Sequence, residues 1–382
     1  MTRKRKGNYK KRFIFLLLVG ALVIIGLYST KNLYQKTIVD IPKITKIQQL
    51  ISPIPTQTNS FQLFSTSLFV PYWTLKNTEF NSPISLQDGG FKSQINTLIY
   101  FGITPTETEI NKNEPGFYNL STFSISKNSY RALLTIRMSN EDVTSTILEN
   151  ETSQKTIIQE TLEIASQYDF DGIVLDLEHS VLPTSDIIQQ ITDFVETFSL
   201  QTKQQELTFG MTIYGDTYYR QRPYDLKALD QYVDQFYIMA YDFHKSYGEP
   251  GPNFPLKGKE IYGYDMEIMI RQLISDIDAQ KLTILFGLFG YDWSVDDQNR
   301  PLKPAQSLTL RQIKNRFLES CPFTPCSIQR DNLSAETSIQ YADETGQKHV
   351  VWFEDETSVG EKVTFLNSNS ISNIGYWAWG YY

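Results

Sequence analysis

Cysteine and histidine are nearly absent: the 382 residues include two of the first, Cys321 and Cys326, and three of the second, His179, His244 and His349. Two cysteines cannot staple a fold or by themselves ligate zinc, and the histidines are scattered, so neither a metal nor another cofactor is expected. The segment "SCPFTPCS" fits either a small-loop disulfide or two free thiols. A basic stripe is missing too. The net charge of -8 argues against nucleic acid as a partner. No glycine-rich phosphate loop follows the first strand candidate, which counts against a dinucleotide-binding sheet.

Long apolar runs are also scarce, with one exception. "FIFLLLVGALVIIGLY", residues 13–28, holds neither charge nor proline and follows a tail, residues 1–12, with seven Lys or Arg and no acid. A spanning helix takes about 20 residues, so the run is short and a cleaved signal peptide is the alternative. "GLYSTKN" lacks the spaced small residues of a cleavage site, and the preceding positive charge favours an N-inside orientation. The expectation is a single-pass signal anchor in the cell membrane with a cytoplasmic tail and everything downstream outside; secretion is the second reading. Residues 29–62 mix Pro, Thr, Gln and Lys without a period and read as a linker.

From residue 63 the chain alternates short β-branched or aromatic runs with amphipathic stretches. The runs are "TSLFVPYW", "INTLIYFGI", "RALLTIRM", "DGIVLDLE", "LTFGMTIYG", "VDQFYIMAYD", "LTILFGLFGYDW" and "ISNIGYWAWG". After the fourth, Ile187, Ile188, Ile191, Phe194, Val195 and Phe198 recur at helical spacing, with Thr184 or Ser185 as N-cap. Eight strands joined by crossovers predict an α/β fold, a (β/α)8 barrel over 63–382. The stretch between the last two runs is too long for one helix and contains "HVVWFED". It predicts a small α+β insertion over about residues 294–368.

The fourth run ends in acid. Side chains alternate along a strand, so Val174, Asp176 and Glu178 share one face and Ile173, Leu175 and Leu177 the other. In a barrel the leucines then pack under the helices while both carboxylates line the C-terminal mouth, where barrel enzymes carry their chemistry. Two residues of strand separate them by roughly 6 to 7 Å at the backbone. An ionised Asp176 is expected to raise the pKa of Glu178 and keep it a general acid. A solvated strand end, or an ion pair with a neighbouring loop, is the plain alternative.

These residues resemble a family. "FDGIVLDLE" is similar to the D-x-x-D-x-D-x-E signature of family 18 glycoside hydrolases, the chitinase-like (β/α)8 enzymes, with Asp171 as its first acid. "QFYIMAYDFH" resembles the family's M-x-Y-D strand, with Met239, Tyr241 and Asp242 in place. "GLFGYDW", "ETGQKHVVWFED" and "NIGYWAWG" look like the spore-cortex and peptidoglycan-lytic branch. The resemblance implies substrate-assisted retaining hydrolysis of an N-acetylated glycan. Glu178 would protonate the glycosidic oxygen, Asp176 would hold the substrate's acetamido N–H, and Tyr241 would donate to its carbonyl oxygen. Asp242 would contact the same sugar over a floor formed by Trp377. The implied polymer is peptidoglycan, with chitin or another N-acetylglucosamine glycan as alternatives.

One position departs: Val174 stands where the signature has its middle Asp. Asp176 thereby loses a polar inward neighbour, and activity with a changed pH profile is expected; a glycan-binding pseudoenzyme is the competing reading. Tyr72, Trp73, Tyr214, Tyr291, Trp293, Trp352 and Trp379 are candidates for stacking on a sugar although most of them read as packing, and of these Tyr72 and Tyr214 are singled out weakly. Arg137 ends an inner strand, where it could face the cleft, and reads first as a structural ion-pair partner. His179 should point away from Glu178 and receives no catalytic role.

Overall fold

The computed structural model describes residues 65–382 apart from 76–84, 87–92 and 128. The expected tail, anchor and linker over residues 1–62 therefore lie outside the described residues. Among those described, no helix is long and apolar enough to cross a membrane.

Seven barrel strands follow in chain order: β1 (Ser65–Pro71), β2 (Ser93–Ile103), β3 (Arg131–Met138), β4 (Gly172–Leu177), β5 (Thr208–Tyr214), β6 (Gln235–Ala240) and β7 (Leu282–Gly287). An antiparallel sheet is then inserted, made of β8 (Phe289–Val295), β9 (Gln306–Thr309), β10 (Cys326–Arg330), β11 (Thr337–Ala342) and β12 (Lys348–Phe353) in the order β9-β8-β12-β11-β10. The last strand, β13 (Asn373–Trp377), pairs in parallel with both β7 and β1. Since β1 also pairs with β2, the barrel closes on itself.

Strand alternation sorts the core into two layers. Inside the barrel, Val174 packs with Phe69, Ile99, Leu133, Tyr237 and Leu285. Outside it, Ile173, Leu175 and Leu177 join the larger cluster under the helices. Each such side chain removed from water contributes about 1.5–3 kcal/mol before ordering costs. The outer helices include α1 (Glu141–Glu149), α2 (Glu151–Gln167), α3 (Ser185–Gln204), α4 (Met266–Asp276) and α5 (Glu356–Ser368). Their N-caps, Asn140, Asn150, Thr184, Asp265 and Asp355, each accept a backbone N–H from the first turn. The predicted stripe of α3 is borne out in Ile191, Phe194, Val195 and Phe198, all buried.

Two details differ from the sequence reading. "LTILFGLFGYDW" is not one strand: it breaks at Leu288, and its second half, β8, belongs to the inserted sheet. An apolar run buried on both faces gives no periodic signal of such a break. The inserted sheet accordingly begins at Phe289, and α5, with Val359, Val363 and Leu366 in the main core, is the crossover that leads to β13. Cys321 and Cys326 form a disulfide that ties the loop before β10.

Candidate active site

Asp176 and Glu178 owe their positions to the register between β4 and β5, which sets Val174 opposite Gly210 and Leu175 opposite Met211. Continued upward, that register brings Thr212 beside Asp176 and Tyr214 beside Glu178. Both contacts form: Thr212 donates its hydroxyl to Asp176 Oδ1 at 2.5 Å, and Tyr214 donates to Glu178 Oε2 at 2.7 Å. Glu178 lies one residue past β4 and is still held by its N–H to the Met138 carbonyl at 3.0 Å. At the other end, Asp171 accepts the Ala132 N–H at 2.7 Å and so pins β4 to β3, away from the mouth. Gly172 permits the close approach: a Cβ there would lie 2.1 Å from Thr208 Oγ1 and 2.5 Å from Thr208 O.

A cavity of about 240 Å³ opens above the two acids. Asp176 is 2 % exposed, and its Oδ2 has no hydrogen-bond partner among the described residues. Burial, reinforced by the charge of Glu178, pushes Asp176 up to about 7, while the Thr212 hydrogen bond and the Arg137 charge oppose the rise. Asp176, the deeper of the two acids, is thus one whose proton affinity burial raises. Arg137 stands opposite Asp176 in the register of β3 with β4. Arg137 lines the cavity, and the ion-pair reading finds no partner carboxylate among the described residues. Its guanidinium lies 4.4 Å over the Phe101 ring, and its Nε has no partner among the described residues.

Trp377, at the end of β13, forms one wall of the cavity, with Phe101 edge-on at 4.7 Å, Phe69 at 5.7 Å and Tyr241 at 6.3 Å between ring centres. Met239 and Tyr241 also line it. Burial and the nearby carboxylates hold the Tyr241 phenol well above its ordinary value, so it remains a donor. Asp242 adopts a left-handed conformation, φ 57°. Its N–H donates to Asn253 Oδ1 at 2.8 Å, and Asn253 Nδ2 donates to the Gly287 carbonyl at 3.0 Å. Tyr291, from the inserted sheet, donates to Asp242 Oδ1 at 2.6 Å. Burial raises the pKa of Asp242, against the pull of Tyr291 and Lys245.

Tyr72 is not on the cavity. Strand alternation stops at Pro71, where residues Tyr72–Thr74 form a 3-10 turn that brings Trp73 to the lining instead, with Tyr72 packed edge-on against it at 5.1 Å. Thr212, Trp73, Asn253, Tyr291 and Lys245 were not among the residues singled out from sequence. Trp73 and Tyr291 carried only the general signal of aromatic residues able to stack on a sugar, and Thr212 sits two positions before Tyr214 on the same strand face. His179 is buried and lies off the cavity, and burial lowers its pKa. Among the described residues no group of three His, Cys, Asp or Glu is placed to hold a metal.

A closed (β/α)8 barrel with an acid pair below an aromatic-walled cavity has the make-up of a carbohydrate-cleaving enzyme. The chain belongs to the glycosyl hydrolases family 18, whose family model matches residues 69–381. A cortical fragment-lytic enzyme of Bacillus anthracis is 28 % identical over 247 residues, covering 63 % of this chain and 53 % of the relative. The chain thus spans about half the length of that relative. Among solved structures, a spore cortex-lytic enzyme of Bacillus cereus superposes with a TM-score of 0.65 at 20 % identity, covering 84 % of this chain and 71 % of the other. A class V chitinase of Nicotiana tobaccum gives 0.69 at 15 % identity, covering 82 % and 94 %. At these identities the superpositions speak for the fold.

Proposed function

We propose that this protein is a glycosidase that hydrolyses the β-1,4 bond beside N-acetylglucosamine in peptidoglycan, by substrate-assisted retaining catalysis, while anchored outside the cell membrane by residues 13–28. The observation that carries the reading is the acid pair itself, with Asp176 held by Thr212 and Glu178 held by Tyr214 beneath one cavity. Glu178 gives its proton to the glycosidic oxygen as the C1–O bond breaks. The substrate's acetamido oxygen attacks C1, Asp176 accepts the acetamido N–H, and the positive charge that develops is met by the Asp176 carboxylate. Water then attacks C1 from the vacated face, giving its proton to Glu178 and restoring the acetamide. Tyr241 steadies the acetamido oxygen, Asp242 contacts the same sugar, and Trp377 supplies the apolar floor. Asp176 holds its proton until about pH 7. An arriving acetamido N–H favours the ionised carboxylate, and the shared proton is then available on Glu178.

The similarity to cortical fragment-lytic enzymes supports peptidoglycan over chitin, and the basic tail before an apolar run supports the anchor. To test the reading, the protein and its Glu178→Gln variant are incubated with purified peptidoglycan and with chitin oligomers, and new reducing ends are identified by mass spectrometry. The variant should lose at least about 10²–10⁴-fold in kcat. Binding by both proteins with cleavage by neither would leave a glycan-binding pseudoenzyme in its place. Faster cutting of chitin oligomers than of peptidoglycan would make it a chitinase.

A further inference from the structure

A second cavity, of about 450 Å³, adjoins the first, and Lys245 lines both. Its character differs from that of the aromatic pocket. Arg220, Arg222 and Lys245 supply three cations, against which stand Glu249 in the lining and Asp216 behind it. In a chain of net charge -8 this is a local reversal of sign. Asp216, 5 % exposed, receives both arginines, with Arg222 at 3.3 Å, and so fixes them in place while neutralising only one. Arg222 is further held by donation to Ser180 Oγ at 2.9 Å and by stacking 4.0 Å over the Tyr214 ring. Lys245 is exposed and forms no ion pair with a described carboxylate; its charge reaches Asp242 only as a through-space pull. Tyr219, 49 % exposed, and Tyr262 add flat apolar surface to the same cavity.

We propose that this second cavity is a subsite for a carboxylate-bearing substituent of the glycan whose N-acetylglucosamine occupies the catalytic pocket. The substrate part of this rests on the function proposed above. Fixed arginines that carry more positive charge than Asp216 offsets, next to the Lys245 ammonium, which lies 5.9 Å over the Tyr214 ring and pairs with no described carboxylate, attract an anion. The tyrosine faces suit a substituent that also has apolar surface. Continuity through Lys245 means that one chain of sugars can reach both cavities. In peptidoglycan the carboxylates are of two origins, the lactyl ether of the muramyl sugar and the peptide attached to it. The charge pattern recognises what they share.

Binding is measured by titration calorimetry in the full-length Glu178→Gln protein, so that no substrate is consumed. The probes are N-acetylglucosamine–muramic acid tetrasaccharides with the lactyl carboxylate free or amidated, and the same glycan bearing a short peptide with its carboxylates free or amidated. Whichever pair carries the relevant group should show the free acid binding about fivefold tighter than the amide, the scale of an exposed ion pair. Lys245→Gln should abolish that ratio, Glu249→Gln should enlarge it, and 0.5 M salt should shrink it, with the melting temperatures of both variants unchanged. Comparing each acid with its own amide cancels any effect of Lys245 on Asp242. Equal affinity for acid and amide in both pairs, or a ratio unmoved by Lys245→Gln, overturns the proposal. Its failure is separable from that of the hydrolase reading, which depends on cleavage by the unmodified protein. A protein that cuts neutral oligomers but shows no acid preference keeps the function and loses the subsite.

Discussion

Acid is buried in two parts of this molecule and treated in opposite ways. At the barrel mouth, Asp176 is buried, with Oδ2 unpartnered and no ion pair among the described residues. In the inserted region, Glu336 and Glu354 are sealed just as completely, yet both bond the ammonium of Lys362, itself fully buried on α5. Glu336 also accepts the backbone N–H groups of Asn253 at 2.5 Å and Phe254 at 2.8 Å. In that network Lys362 and the backbone donors answer most of the charge; Glu354 Oε2 is itself unpartnered among the described residues, and burial raises the Glu354 pKa to about 8, but an ammonium bonds its other oxygen. The barrel mouth leaves a carboxylate oxygen free under a cavity. Burial alone does not mark a functional acid; burial without compensation, facing open space, does.

The sharpest way to break the contrast is to remove the compensation from the second cluster. Lys362→Met should strand two buried carboxylates and cost about 3–5 kcal/mol, read as a lower midpoint in urea denaturation. If stability is unchanged, the triad is not the structural element described here. Because Glu336 orders the Asn253 backbone, and the Asn253 side chain holds Asp242, some loss of activity should accompany the destabilisation.

The converse substitution removes a charge that lacks compensation. Asp176 is raised in the folded state to about 7, above its ordinary carboxylate value. Its contribution to stability is therefore full below the unfolded pKa and is lost as pH rises through the folded one, between about pH 4 and 7. Asp176→Asn does not titrate. Relative to the unmodified protein it should gain stability across that window, by up to roughly 4 kcal/mol, and the gain should level off above pH 7. Melting temperatures of the two proteins from pH 4 to 8 give the measurement; a constant difference would mean that Asp176 is not held neutral. Hydrolysis should fall sharply at every pH, so stability and activity move in opposite directions.

The sequence made the barrel legible because strand alternation and helix periodicity are local. All eight barrel strands were found, and Val174, Asp176 and Glu178 were placed on the inner face from parity alone. What it did not make legible is what depends on the ends of elements or on distant chain. Trp73 replaced Tyr72 because a turn interrupts parity at Pro71. The break at Leu288 hid the start of the inserted sheet, and with it the role of Tyr291, which reaches Asp242 only once β8 leaves the barrel. Lys362, Glu336 and Glu354 are scattered in sequence and have no motif, so their cluster could be seen only when folded. The raised proton affinity of Asp176 is likewise a matter of depth, which residue order does not encode.

The smallest effect concerns Arg137, the cation nearest in register to the uncompensated acid. Its charge opposes the rise in the Asp176 pKa, together with the Thr212 hydrogen bond. If the acid pair must keep one proton to deliver to the glycosidic oxygen, kcat/KM should fall as pH rises above about 7, where Asp176 loses it. Arg137→Met removes a positive charge from a site little screened by salt. Asp176 should then hold its proton to higher pH, and the alkaline limb should move upward by up to about one unit. Stacking on Phe101 offers a rival role, in which Arg137 merely fills space. Arg137→Lys separates the two, since it keeps the charge and gives up the planar stack. An alkaline limb that returns to its original position in the lysine variant assigns Arg137 an electrostatic role at the mouth. A limb that stays in place in both variants, with lower thermal stability in each, would make Arg137 a packing residue.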